Sequence, residues 1–132
     1  MHMTVGDKAE ERTFGPISRT DIVRYAGASG DFNPIHHDEA FANVAGFPTV
    51  FSIGMLQAGL LATFVTDWIG AKSLRRFRVR FQEKVWPGDE LTCSGTVSAI
   101  TTTLVGTILE VDLACVRQTG TLAVTGSAAF LI

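Results

Sequence analysis

The sequence predicts an α+β fold in which an antiparallel sheet curls around one long central helix. Two observations predict it. The stretch from Gly54 to Ile69 is apolar on nearly every side, so a helix formed there must be wrapped by other structure. From Arg76 onward the period changes to two, and polar and apolar residues alternate in four separate runs. With 132 residues, 46% hydrophobic and 18% charged, the chain suits one core, and residues 1–132 are expected to form a single domain.

The elements follow in order. After a short extended stretch, Ser18 offers an N-cap with Asp21 three residues on. A helix through Ile22, Val23 and Tyr25 should follow and end near Gly27 to Gly30. An irregular loop, Asp31 to His37, comes next. Asp38 can cap a short helix carrying Phe41 and Val44, which Gly46-Phe47-Pro48 breaks. The long helix then starts at Gly54, with Met55, Leu56, Leu60, Leu61, Phe64, Val65, Trp68 and Ile69 as its apolar residues. Arg76, Arg78 and Arg80 alternate with Phe77, Val79 and Phe81 to give the first main strand. Three more runs hold Leu91 to Ala99, Leu109 to Cys115, and Leu122 to Phe130. Pro87-Gly88-Asp89 and Gln118-Thr119-Gly120 make turns. The reading is of an antiparallel meander of four strands, each with one buried face.

Composition narrows the function. Net charge is −2, which gives no sign of nucleic-acid binding. Residues 40–66 carry no charge, but Gly46, Pro48, Ser52, Gly54, Gln57 and Gly59 interrupt the run. The continuous apolar part falls short of the ~20 residues that a membrane span needs. Cys93 and Cys115, the only cysteines, have no metal spacing and fall on apolar strand positions. Buried free thiols in a reducing, cytoplasmic setting are expected. Six of the eleven basic residues lie between Lys72 and Lys84 (Lys72, Arg75, Arg76, Arg78, Arg80 and Lys84), opposed there only by Glu83. Such a stripe suits a small phosphate-bearing ligand or a solvated strand face, and composition does not choose between them.

Polar chemistry is concentrated in one place, between Tyr25 and Ala42. An acid, an amide and an imidazole stand at Asp31, Asn33 and His36, with Pro34 holding the turn. A carboxylate and an imidazole together are the parts needed to move a proton onto and off a water molecule. Taken singly, Asp31 could cap a turn, Asn33-Pro34 could start one, and His36 could be a satisfied core histidine. The three at this spacing, ahead of a glycine-initiated buried helix, favour an enzyme. No metal-ligand cluster stands near them, so no metal and no cofactor are expected.

The segment Ser29-Gly30-Asp31-x-Asn33-Pro34-Ile35-His36 resembles the signature of the MaoC-like, or (R)-specific, enoyl-CoA hydratase family, which has the hot-dog fold. The similarity continues through Gly54-Met55-Leu56, Arg80-Phe81 and Pro87-Gly88-Asp89-x-Leu91. The resemblance implies (R)-specific hydration of a trans-2-enoyl-CoA, or the reverse dehydration. It puts Asp31 and His36 on the acid/base pair, Asn33 on the amide that orders the site, and Gly54 on the residue whose backbone N–H faces the thioester oxygen. Ile53 and Met55, flanking Gly54, and the arginines Arg76, Arg78 and Arg80 are the expected substrate contacts, the arginines for the phosphates of CoA. Many members have His where this chain has Ile53, which bears on acyl preference. An acyl-CoA or acyl-carrier-protein thioester is the implied substrate. A homodimer with its sheets side by side is the implied assembly, or a heterodimer with a related subunit. Two other functions fit the fold: an acyl-CoA thioesterase, and an acyl-CoA-binding subunit of a heterodimeric dehydratase.

Overall fold

The computed structural model describes residues 2–132. In chain order these form β1 (Arg12–Phe14), α1 (Arg19–Ser29), a 3₁₀ turn (Pro34–His36), α2 (Glu39–Val44), α3 (Gly54–Ile69), a second 3₁₀ turn (Ala71–Ser73), β2 (Leu74–Phe81), β3 (Leu91–Thr103), β4 (Gly106–Arg117) and β5 (Leu122–Leu131). The helix starts match the expected caps. Ser18 Oγ accepts from Asp21 N–H while the Asp21 carboxylate accepts from Ser18 N–H, a reciprocal capping box. Asp38 caps α2 through Phe41 N–H.

All pairings are antiparallel, and the strands lie in the order β1-β3-β4-β5-β2. This corrects the expected four-strand meander. β3, β4 and β5 do form one, but β2 pairs with β5 at the far edge instead of with its sequence neighbour β3. The cause is the connection from Gln82 to Glu90. It is too long for a hairpin turn, and it folds back over the start of α3, where Val85 is fully buried and its carbonyl accepts from Ser52 N–H at 2.8 Å.

The sheet wraps α3. Leu61 and Val65 are fully buried against Leu91, Cys93, Val97, Leu109, Val111, Cys115, Val124 and Phe130. At about 25 cal/mol per Å² of apolar surface removed from water, this cluster is the main source of stability. The wrapping is incomplete. Met55, Gly59, Thr63 and Asp67, spaced four apart, form an exposed stripe along α3. These are among its least apolar positions apart from Met55, so the helix has a dry side and a wet side that its overall hydrophobicity conceals. Cys93 and Cys115 are buried free thiols on directly opposed positions of β3 and β4. Among the described residues no helix is long and apolar enough to cross a membrane.

Candidate active site

The site is built at the point where α1 stops. Gly30 takes a left-handed φ of 77°, which favours glycine, and its N–H closes the helix on Ala26 O. The chain then turns through a ladder of short side-chain bonds. Asp31 N–H donates to Ser29 Oγ, and Asn33 N–H donates to Asp31 Oδ1, both at 3.3 Å. Asn33 Oδ1 accepts from Ile35 N–H at 3.1 Å, which caps the 3₁₀ turn, and Pro34 sets the first residue of that turn. His36 closes the turn and is thereby aimed inward.

The His36 ring is fixed at one nitrogen. Nδ1 lies 2.8 Å from the Phe51 carbonyl oxygen. A carbonyl only accepts, so Nδ1 carries the hydrogen and the neutral ring keeps its lone pair on Nε2. Nε2 faces Asp31 Oδ2 at 3.7 Å. That is too long for a direct hydrogen bond, and it leaves room for a water oxygen to reach both atoms from one side. The His36 side chain is 11% exposed and that of Asp31 is 42% exposed, so the imidazole is the held partner and the carboxylate meets solvent. Phe51 also packs edge-on against His36, and Phe47 and Trp86 pack on Phe51 in turn.

His36 forms part of the wall of a cavity of about 270 Å³ with Ser52, Gly54, Gln57, Phe81 and Lys84. Gly54 is the first residue of α3. Ile53 before it is extended and makes no side-chain cap; its carbonyl accepts from Leu56 N–H at 2.9 Å, which leaves the Gly54 N–H as a donor at the positive end of the helix dipole. A Cβ on Gly54 would lie 3.2 Å from the Phe81 ring, so the glycine lets that ring pack closely against the start of α3.

Other expected contacts fall elsewhere. Ile53 is buried in the core and Met55 is 53% exposed; neither forms part of this cavity wall. Phe77, Val79 and Phe81 point to the α3 side of β2, so Arg76, Arg78 and Arg80 stand on the other side of the sheet. Arg76 is paired with Glu110 at 3.0 Å. Arg78 and Arg80 flank a shallow cavity of about 300 Å³ with Thr125 and Ser127. The basic side chain on the His36 cavity is instead Lys84, whose Nζ lies 5.1 Å from the Phe47 ring centre and 5.5 Å from that of Phe51.

Three further polar residues support the site from beyond the motif. Ser52 and Gln57 are buried polar residues joined by a 2.7 Å hydrogen bond. Their signal was present, as the polar breaks in a charge-free run. Asp89 is the third. Its carboxylate accepts from Arg117 at 2.7 and 3.2 Å, from Gln118 at 2.7 Å and from Trp86 N–H at 2.8 Å. Burial pushes its pKa up, but these donors outweigh burial and hold it below the ordinary carboxylate value. Asp89 thus ties the loop carrying Trp86, and through it Phe51, to the β4–β5 turn. Partners 28 and 29 residues away leave no local pattern.

Comparison with known proteins agrees with this architecture. The family described as MaoC like domain matches residues 2–112. The (R)-specific enoyl-CoA hydratase of Aeromonas caviae is 32% identical over 129 residues, 96% of this chain and 92% of that protein. A solved (R)-hydratase from A. caviae, described as involved in PHA biosynthesis, superposes with a TM-score of 0.86 at 30% identity, over 98% of this chain and 97% of that one. A chain of the ChsH1–ChsH2 complex from Mycobacterium tuberculosis also gives 0.86, at 26% identity and 99% of both chains. Relatives differ in length: the fatty acid synthase subunit beta of Gibberella zeae is 34% identical over 64% of this chain, which spans only 4% of that protein. The fold is the hot-dog fold, and these relatives place the chain among its enzymes. It belongs to the MaoC-like family.

Proposed function

We propose that residues 1–132 form one hydratase domain that adds water to a trans-2-enoyl thioester, giving the (R)-3-hydroxyacyl product, or runs the reverse dehydration. The observation that carries this reading is the 3.7 Å gap between Asp31 Oδ2 and an His36 Nε2 whose tautomer is set by Phe51. One water held in that gap loses a proton to the pair as its oxygen attacks C3. The pair returns a proton to C2. Between these events negative charge gathers on the thioester oxygen, which the Gly54 N–H faces. Asn33 holds the turn that keeps acid and imidazole in register. The proton transfers are supplied by side chains, so the reaction needs neither metal nor cofactor. The (R) outcome follows from similarity to the A. caviae hydratase.

The substrate is an acyl-CoA or acyl-carrier-protein thioester, and Lys84 is placed to meet anionic groups at the cavity. Arg78 and Arg80 reach a thioester only around the sheet edge or from a second subunit. Ile53 acts by packing the start of α3 from the core side, and Met55 is left as a contact at the rim. A homodimer, or a heterodimer with a related subunit, would cover the β2 edge and the exposed stripe of α3. Free buried Cys93 and Cys115 suit the cytoplasm. A thioesterase reading is disfavoured because α3 has no acidic residue in its first turn to direct water at the thioester carbon.

The test is purified protein with crotonyl-CoA. Loss of enoyl absorbance without free thiol, and an (R) product on chiral analysis, are expected. Thiol release would assign a thioesterase. Neither signal, with the acyl-CoA still bound, would assign a binding subunit.

A further inference from the structure

The cavity wall carries one polar pair that the proton chemistry leaves unused. Ser52 and Gln57 are each 3% exposed, and Ser52 Oγ donates to Gln57 Oε1 at 2.7 Å. Both form the wall with His36 and Gly54. Side chains on a helix lean toward its N-terminus, and here the lean is locked by a partner two residues ahead of Gly54. The Gln57 carboxamide is therefore drawn back over the first turn of α3.

Ser52 occupies Oε1, so Nε2 is the free end of the amide. It has no protein partner among the described residues. Nor is it sealed off, because among the described residues the unpartnered side-chain atom fully enclosed by protein is Arg76 Nε. An unpartnered atom of a wall residue that is not enclosed opens on the cavity. Leucine or methionine would fill the same space without leaving a buried donor to satisfy. The donor thus calls for an acceptor that arrives with the ligand.

We propose that Gln57 Nε2 is a second hydrogen-bond donor to the thioester oxygen, making with the Gly54 N–H a two-donor pocket, and that Ser52 is the residue that positions its amide. This rests on the hydration reading above. When water adds to C3 the thioester oxygen takes up a full negative charge as an enolate. Donors already aimed at that oxygen stabilise the charge more than the neutral carbonyl, so they act on kcat.

The experiment compares wild type, Gln57→Met, Gln57→Glu and Ser52→Ala, each checked for folding by circular dichroism. Gln57→Met keeps the length of the side chain and removes the donor. Its kcat on crotonyl-CoA should fall about 10²-fold, with KM changed by less than about threefold. Gln57→Glu keeps the shape. Ionised, it repels the developing charge; protonated, it donates again, so its kcat should rise as pH falls, unlike that of wild type. Ser52→Ala should lower kcat less than Gln57→Met does. A second readout is the infrared carbonyl band of bound butyryl-CoA carrying ¹³C at the thioester carbon. It should lie below the free value in wild type and move back toward it in Gln57→Met.

Folded Gln57→Met with native kcat and an unmoved band would overturn this role while leaving the hydration reading intact. If Gln57→Met does not fold, a wild-type pH profile in Gln57→Glu does the same. Wild type with neither turnover nor a band shift would overturn both.

Discussion

Removing the acid and the imidazole separately should give two different kinds of damage, and the structure sets the size of each. In Asp31→Asn the side chain is 42% exposed and the retained Oδ1 can still accept from Asn33 N–H. Its stability should stay within about 0.5 kcal/mol of wild type, as for most surface substitutions. In His36→Ala a ring that is only 11% exposed is lost and the Phe51 carbonyl loses its donor. Leaving a buried acceptor unmet costs about 1–3 kcal/mol. Each proton-transfer role is worth about 10²–10⁴ in rate, or about 2.7–5.4 kcal/mol of barrier. Both variants should therefore lose at least about 10²-fold in kcat, but only His36→Ala should lose stability. The double variant should turn over little more slowly than the worse single, because both groups act on one water. Enoyl absorbance gives kcat and urea unfolding gives stability. Near-native turnover in both folded singles would refute the assigned pair. Equal destabilisation of the two would refute the claim that Phe51 anchors only the imidazole.

Asp89→Ala should destabilise the fold by about 1–3 kcal/mol, since it removes a buried acceptor from the half-buried guanidinium of Arg117, from Gln118 and from Trp86 N–H; urea midpoints check this. The Asp89 pKa is lowered in the folded state, so its contribution is fully present above the unfolded carboxylate value and is lost as pH falls through the folded one. Wild type should lose stability through that acid range, and the variant should lose less. Gly95→Ala would place a Cβ 2.9 Å from the Trp68 ring and 3.2 Å from Leu113, overpacking the core by about 1–3 kcal/mol, again read from urea unfolding. Lys84→Ala should raise KM for crotonyl-CoA more than for its N-acetylcysteamine analogue, and added salt should mimic it because exposed charge pairs are screened over about 8–10 Å. Arg78→Ala and Arg80→Ala should do less; a larger effect from either would return the phosphates to the outer sheet face.

The fold was legible where one stretch of chain decided its own structure. The capping box of Ser18 and Asp21 and the Asp38 cap are local bonds between residues three apart, and each formed as expected, as did the start of α3 at Gly54. The strands were legible for the same reason, since alternation is a local property. Their order was not. Nothing within β2 says that Arg76 will oppose Ala129 while Leu91 opposes Arg117. That depends on the path of residues 82–90, whose buried anchor, Val85, reads in sequence as one more apolar residue. β5 also departs from strict alternation: Ala123 and Val124 are both buried, as are Ala128, Ala129 and Phe130. Ala123 falls at a bulge opposite Cys115 and Val116, and Ala129 lies between Arg76 and Glu110, whose ion pair spans the outer face of the sheet there.

The site divides along the same line. Asp31, Asn33 and His36 lie within six residues, and the bonds among Asp31 Oδ1, Asn33 and Ile35 N–H are made by the motif itself. Spacing alone could therefore find them. What the motif could not announce is what fixes the His36 ring. That is the Phe51 carbonyl fifteen residues on, carried by a strand-like segment whose position depends on Ser52 bonding Val85 O and on Trp86 held by Asp89. The arginines show the same limit. Alternation put Arg76, Arg78 and Arg80 on one face correctly, but only the contact of Phe81 with Gly54 tells that the opposite face looks into the cavity. Charge concentrated in sequence is thus a weak guide to charge near a site, because a strand sends half its residues away from any cavity it borders. Lys84 reaches the cavity because it follows the end of β2, where the alternation no longer binds it.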